Sequence, residues 1–412
     1  MTGSESLRVC VYVPMVVYAD DTTLTTDGTF QLMLPAFRPR FSSLDVRVSV
    51  VRDGRLTGRE RFPTDGIGVD PLPAYNTGMQ LLKCMPALLL EAWRTYRQLG
   101  RRWDLVWIVD AEPSQQLLFW LCRLGRKPAV LYLRGREDIG YGLRRRRFPL
   151  NWLATVYAHY QRRMLPLLVR QANLMVTGRE LSALYAPYAR RCHEYVSSLV
   201  HESDVEPDLA EQRFTRNPDP ITLLSVGRLA PVKGLHVLLD ALSRLRRFGL
   251  DRQIHLRVVA HNRVPDYVAE LTRLITQHHL EECVTFVSDL QVGPALANEY
   301  RCADVFVCPS IQEGTPKTVP EAMSKALPIV ASRVGGIPAL VGDGQDGILV
   351  PAGDPTSLAD ALARLIRDPQ LRRDMGHHSA ERAREYVLEH QAARAAEFFA
   401  TTAAATGTHR WA

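Results

Sequence analysis

Apolar and polar positions alternate along the chain in two registers. Short runs rich in β-branched residues recur, and between them lie longer segments of helical period. In the first half the runs predict strands at Arg8 to Val13, Asp45 to Val51, Asp104 to Val109, Ala129 to Leu133 and Leu174 to Val176, with helices at Met79 to Leu99 and Ser114 to Leu124. Asn217-Pro218-Asp219-Pro220 disfavours helix and strand alike, so Arg213 to Pro220 reads as an interdomain linker. The alternation then restarts. Strands are predicted at Ile221 to Val226, His255 to Val259, Val284 to Val287, Val305 to Cys308, Ile329 to Ala331 and Ile348 to Val350. Helical patterns lie at Leu235 to Arg246, Val268 to His278, Pro320 to Lys325 and Ser357 to Ile366, and Gly376 to Ala400 reads as one long closing helix. This is parallel βαβ construction, an α/β chain of two doubly wound domains with a cleft between them. The expected division is 1–213, 214–380 and a closing helix with tail at 381–412. In such domains ligands bind at the carboxyl ends of the strands.

Composition narrows the class. Of 412 residues, 46% are hydrophobic and 23% charged, values of a folded chain rather than a disordered one. No apolar run approaches the ~20 residues that cross a bilayer. Met1 to Arg8 is polar and lacks a signal-peptide core, so a cytoplasmic chain is expected. The seven cysteines stand singly, which argues against a disulfide framework or a structural zinc site and for buried thiols. Charge is divided unevenly. Residues 1–200 hold 28 Lys and Arg against 17 Asp and Glu, whereas the remainder is slightly acidic. The densest cluster, Arg144, Arg145, Arg146 and Arg147, fits either a solvated face or peripheral contact with an anionic membrane on its inner side. No zinc-finger spacing, RNA-binding motif or aromatic platform supports nucleic acid as a partner.

Three segments carry candidate chemistry. Gly227-Arg228 followed by Lys233-Gly234 places two cations across a strand–helix turn, a pairing suited to a diphosphate or to plain solvation. The run Pro309 to Met323 joins a buried strand to a helix through a Gly-, Pro- and Ser-rich loop whose N–H groups form a ready anion site. Glu313 and Glu321 bracket that loop. Beside a phosphate site, carboxylates are better placed to accept hydrogen bonds from sugar or ribose hydroxyls. Gly335-Gly336 and Gly347-Ile348-Leu349-Val350 line a cleft or simply turn the chain.

Together these segments resemble the retaining glycosyltransferases of family 4, the glycosyltransferase group 1 family, over roughly residues 221–368. The resemblance implies a GT-B-type fold, two facing Rossmann-like domains with an N-terminal acceptor domain and a C-terminal nucleotide-sugar donor domain. It implies that Arg228 and Lys233 hold the diphosphate, with Gly227 in close approach. Glu321 then takes the ribose hydroxyls and Glu313 the donor sugar, with Gly314, Lys317 and the N–H groups of Thr318 and Val319 around the phosphates or sugar. The base is expected near His261 and Val287 to Leu290, Gly28 is the N-terminal domain's approach to the diphosphate, and the closing helix crosses back toward the N-terminal domain. Catalytic roles fall to Arg228, Lys233 and Glu313.

No Asp-x-Asp triplet occurs, so leaving-group charge is expected to be met by cations and a helix dipole, without metal or cofactor. The family's retention of configuration is attributed to front-face attack, which needs no protein nucleophile. One departure concerns Arg134, at a position where many relatives carry histidine. It fits donor-sugar contact, an anionic acceptor, or a salt bridge to Glu137 or Asp138. The partners implied are a nucleotide-sugar donor, UDP-sugar foremost, and a saccharide, lipid-linked or small-molecule acceptor. A nucleotide-sugar epimerase, a phosphorylase, and a non-catalytic subunit of a polysaccharide assembly system are the competing readings.

Overall fold

A strand buried on both faces has no position to spare for a charged side chain, and the strands Leu105–Val109, Ala129–Leu133 and Val305–Cys308 obey that rule. The computed structural model describes residues 4–19, 23–26, 29–51, 60–74, 78–135, 150–216, 219–245, 249–250, 254–261, 264–288 and 290–407. They form two units, Met1–Tyr195 with Gln391–Ala412, and Val196–His390.

The first unit holds a nine-stranded sheet: β1 (Arg8–Ala19), β2 (Leu24–Thr26), β3 (Ser43–Val51), β4 (Glu60–Arg61), β5 (Ile67–Leu72), β6 (Leu105–Val109), β7 (Ala129–Leu133), β8 (Asn173–Thr177) and β9 (Arg191–Tyr195). Strands β5-β3-β1-β6-β7-β8-β9 run parallel, with Val9 opposite Leu105 and Val130 opposite Asn173. The short β2 and β4 add antiparallel pairings, β2 against β1 and β4 against β2. Every residue of β6 and β7 is buried, and alternate side chains serve opposite layers. Val106 and Ile108 pack with Leu88, Leu118 and Leu168 of the helices Gly78–Gln98, Pro113–Leu124 and Leu150–Gln171. Trp107 points the other way, its ring centroid 5.0 Å from Phe37 and 5.2 Å from Phe399. Strand β9 has the polar sequence Arg-Cys-His-Glu-Tyr and was not anticipated; it is a sheet edge, where one face stays wet.

The second unit holds six parallel strands: β10 (Ile221–Arg228), β11 (Ile254–His261), β12 (Val284–Ser288), β13 (Val305–Cys308), β14 (Ile329–Ser332) and β15 (Gly347–Val350). Their order is β12-β11-β10-β13-β14-β15. The chain therefore builds outward from β10 in one direction, then returns to β10's other side with β13. The loops after β10 and β13 leave toward opposite faces, which opens a crevice at their carboxyl ends. Leu223, Leu256 and Val305 pack under the helices Leu235–Leu245, Pro265–His278 and Pro355–Arg367. Leu224, Phe306 and Ile329 pack on the opposite layer with Tyr300, Met323 and Leu340.

Two expectations shift. The chain enters the second unit at Val196, ahead of the 213–220 segment expected as a linker. The reason is Arg213, a buried residue of the helix Leu209–Arg216. Its guanidinium donates to the carbonyls of Ala303 at 2.6 Å, Lys325 at 2.8 Å, Ala326 at 3.0 Å, Tyr300 at 3.2 Å and Arg301 at 3.3 Å. Upstream, Glu206 accepts from Arg301 at 2.6 Å and from Lys325 at 2.8 Å. The closing helix is also two helices, Pro369–Ala383 and Leu388–Gly407. Its composition favours a continuous rod. Tyr386, however, donates to the carbonyls of Ala339 and Leu340, Val387 is extended and buried, and Leu388 N–H donates to Val200 at 2.7 Å. These ties outweigh propensity.

All seven cysteines are free, and burial pushes the Cys122 thiol up to about 12. Cys302 is exposed rather than packed. Among the described residues no helix is long and apolar enough to cross a membrane. Arg144 to Arg147 lie outside the described residues.

Arg213→Ala leaves those five carbonyls without their donor and is expected to cost about 3 kcal/mol, read as a lower denaturation midpoint at unchanged m-value. The hydrogen bond from Arg301, aided by Lys325 and opposed by burial, lowers the Glu206 carboxyl from 4.5 to about 2. Its stabilising contribution is therefore complete above about pH 4.5 and lost as pH falls toward about 2. Glu206→Gln should remove that part of the acid titration of stability. An unchanged acid limb in the variant would assign the loss to other carboxylates.

Candidate functional site

The crevice beside β10 and β13 in the second unit collects most of the residues singled out by sequence. Gly227, Arg228, Lys233, Glu313 and Thr318 all line one pocket, with Cys308, Pro309 and Ser310. Arg228 ends β10 and is exposed, its backbone in register with His261 at the end of β11. The chain then turns through Pro231–Lys233 to Gly234, which has φ +67°. A Cβ there would stand 2.0 Å from the Pro309 carbonyl oxygen. Only glycine lets the two loops touch. Two further bonds close that contact, from Ile311 N–H (2.9 Å) and Gln312 N–H (3.2 Å) to the Val232 carbonyl.

The result is a fixed charge pair. Lys233 Nζ lies 2.6 Å from Glu313 Oε2, with side-chain exposures of 25% and 11%. The same carboxylate oxygen accepts from Ser310 Oγ at 2.8 Å. Ser310 is buried, lies two residues past the end of β13, and its role in holding Glu313 was not foreseen, because serine after a strand is common in turns. Burial, reinforced by the Glu313 charge, pushes the Cys308 thiol up to about 11, so it is no nucleophile.

The helix expected from Pro320 begins earlier, at Thr318, and ends at Ser324. Val319 is fully buried, so its contribution to a ligand is limited to its backbone. Glu321 is half-buried and accepts from Tyr300 Oη at 2.8 Å. Burial raises the Glu321 carboxyl above the usual range against the lowering effects of Tyr300 and the Lys317 charge. Tyr300 itself is raised well above its ordinary value by burial and by Glu321. Behind the loop, Gly336 N–H donates to the Gly314 carbonyl at 2.7 Å, and a Cβ on Gly335 would stand 2.0 Å from the Glu313 carbonyl. By contrast, a Cβ on Gly227 or Gly314 would meet nothing within 4 Å. The first pair of glycines serves packing, and the second leaves backbone open to approach.

Val287 ends in the apolar layer with Val226 and Leu290, three half-buried side chains, two near the carboxyl ends of β12 and β10 and the third just beyond β12. The side chain of His261 and all of Gly28 lie outside the described residues. Arg134 belongs to the first unit, at the carboxyl end of β7. Its guanidinium pairs with Asp110, at 3.0 Å from Nε to Oδ2, and lies 5.6 Å from the Phe30 ring centroid. Of its expected ion partners, Glu137 and Asp138 lie outside the described residues. Asp110 was missed by sequence reasoning. It follows β6 with φ +62°, a conformation that is uncommon outside glycine and that no spacing rule announces.

Residues 220–368 match the family model of glycosyl transferases group 1. A D-inositol 3-phosphate glycosyltransferase of Corynebacterium efficiens is 33% identical over 240 residues, 52% of this chain and 56% of that protein. The chain thus spans little more than half the length of that relative. Among solved structures, sucrose-phosphate synthase from Thermosynechococcus elongatus aligns with TM-score 0.69 at 18% identity, covering 97% of this chain and 100% of its own. HepE from Anabaena, solved in complex with UDP and glucose, aligns with TM-score 0.64 at 18% identity, covering 94% and 98%.

Gly335→Ala is expected to destabilise the second unit by about 1–3 kcal/mol, since a left-handed φ of +54° and a carbonyl both oppose the methyl. Gly314→Ala should stay within ~0.5 kcal/mol of the parent in the same melt. Equal losses for the two variants would contradict the separation of packing and open glycines. The family match and the crevice coincide: every residue lining that pocket falls within residues 220–368, the stretch that matches the glycosyl transferases group 1 model, in a chain of GT-B fold.

Proposed function

We propose that this protein is a retaining, metal-independent glycosyltransferase that moves a sugar from a nucleotide-diphosphate donor, a UDP-sugar, to a saccharide, lipid-linked or small-metabolite acceptor. The observation that carries this reading is the Lys233–Glu313 pair, held by Ser310 at the crevice between β10 and β13. A diphosphate competes for the ammonium, and a sugar hydroxyl donates to the carboxylate. The two halves of a nucleotide sugar thus find opposite charges a few ångströms apart.

The chemistry follows from the charges. As the bond between the anomeric carbon and the phosphate oxygen breaks, negative charge grows on the diphosphate. Lys233 and Arg228 stabilise it more strongly in the transition state than in the ground state, which is what accelerates the step. Glu313 holds the sugar through its hydroxyls, and Glu321 is placed to accept from the ribose. The acceptor hydroxyl attacks from the face the phosphate leaves, and the departing phosphate oxygen takes its proton. The choice of UDP follows the HepE complex, and the relative named for D-inositol 3-phosphate keeps phosphorylated small acceptors within the class.

The test is calorimetry with UDP in EDTA, together with release of UDP from UDP-glucose. Lys233→Ala should weaken UDP binding and lower turnover ~10²–10³-fold, the usual cost of one lost charge-stabilising donor. Glu313→Gln should lower turnover while leaving UDP affinity near the parent's. Conversion of UDP-glucose into another nucleotide sugar without an acceptor would replace transfer by epimerisation. A requirement for divalent metal in UDP binding would overturn the metal-free reading.

A further inference from the structure

The amino ends of the first unit's strands carry a second polar hollow, of about 380 Å³, at the opposite end of the sheet from Arg134 and Asp110. Ala129, Asn173 and Arg191, the first residues of β7, β8 and β9, form its floor. Five cations line it, Arg123, Arg126, Lys127, Arg190 and Arg191, and among the described residues no carboxylate does.

Cations at this end of a βα layer often serve the carbonyls at helix C-termini. Lys127 does so, donating to the Tyr96 and Leu99 carbonyls at 2.8 Å each. Arg123 donates to the Gln171 amide oxygen at 3.0 Å and Arg191 to the Thr401 hydroxyl at 2.8 Å. These are neutral acceptors, which leave the positive charge uncompensated. The side chains of Arg126 and Arg190 are exposed and make no hydrogen bond or ion pair among the described residues. Three other arginines of this unit are matched, Arg8 by Asp104, Arg47 by Glu91 and Arg102 by Asp45 and Asp70. Burial also holds the Lys127 ammonium below its ordinary range, a shift that a bound anion would reverse. Helix termini therefore account for only part of the cluster.

We propose that this hollow is an anion site that binds a phosphoryl group through Arg126, Arg190 and Arg191. Arginine forks suit phosphate oxygens, and the volume suits a small phosphorylated molecule or one headgroup.

The probe is inorganic pyrophosphate on the full chain. Labelling of Arg126 and Arg190 by phenylglyoxal, mapped by mass spectrometry, should slow at least fivefold with pyrophosphate relative to KCl of equal ionic strength. In calorimetry, Arg126→Asn combined with Arg190→Ser should weaken pyrophosphate binding at least tenfold; asparagine suits the left-handed φ of +52° at position 126. Unprotected arginines in the parent overturn the proposal whatever the variant's stability, and so does unchanged affinity in a folded variant. Phosphatidylglycerol vesicles separate the sources. Sedimentation lost in the variant assigns the phosphoryl group to a headgroup, and sedimentation equal in both proteins assigns it to a soluble phosphate.

Discussion

A parallel sheet can exist only between two apolar layers, because its crossover helices lie on both faces. That constraint governs both units. It makes β6, β7, β13 and β14 apolar at almost every position, and it confines solvent-facing chemistry to the loops at strand ends. In the second unit it also decides where the crevice lies. With β10 central and β13 added on its other side, the loops after these two strands diverge. Lys233 and Glu313 are far apart in sequence but meet there because Gly234 lets one loop rest on the other.

The same constraint explains what was legible beforehand. The strands of the second unit read directly as apolar runs, and the matched Lys233, Glu313 and Thr318 lay beside them in motifs of recognisable order. Elements decided by a single distant tie were not legible. Arg213 appears in the sequence as one more charged residue of a polar helix, yet five carbonyls from elsewhere bury it and draw residues 196–216 into the second unit. The break at Val387 lies in a sequence that favours helix, and only Val200, Ala339 and Leu340 explain it. Ser310 and Asp110 escaped for a related reason. Their roles depend on a rotamer and a backbone angle rather than on spacing.

Charge is used in three ways along the chain. Buried Arg213 satisfies carbonyls, so it acts as a structural donor, and burial lowers its own basicity to about 10. Glu206, Arg301 and Lys325 form a small network that stitches a loop to a helix end. Lys233 and Glu313 differ from both. Half-buried beside a pocket, they hold each other's charge where the proposed reading brings a diphosphate to the ammonium and a sugar hydroxyl to the carboxylate.

The helix Leu388–Gly407 begins in one unit and, from Gln391 on, completes the other. Phe399 seals the face of Trp107 and stacks on Phe41 at 5.9 Å. The strands of the first unit emerge early during translation, but this layer of their core is synthesised almost four hundred residues after β1 begins. A nascent chain therefore holds an open aromatic face throughout synthesis of the second unit. The first domain begun is the last one finished, and the ribosome's pace through the second unit sets how long that face stays uncovered.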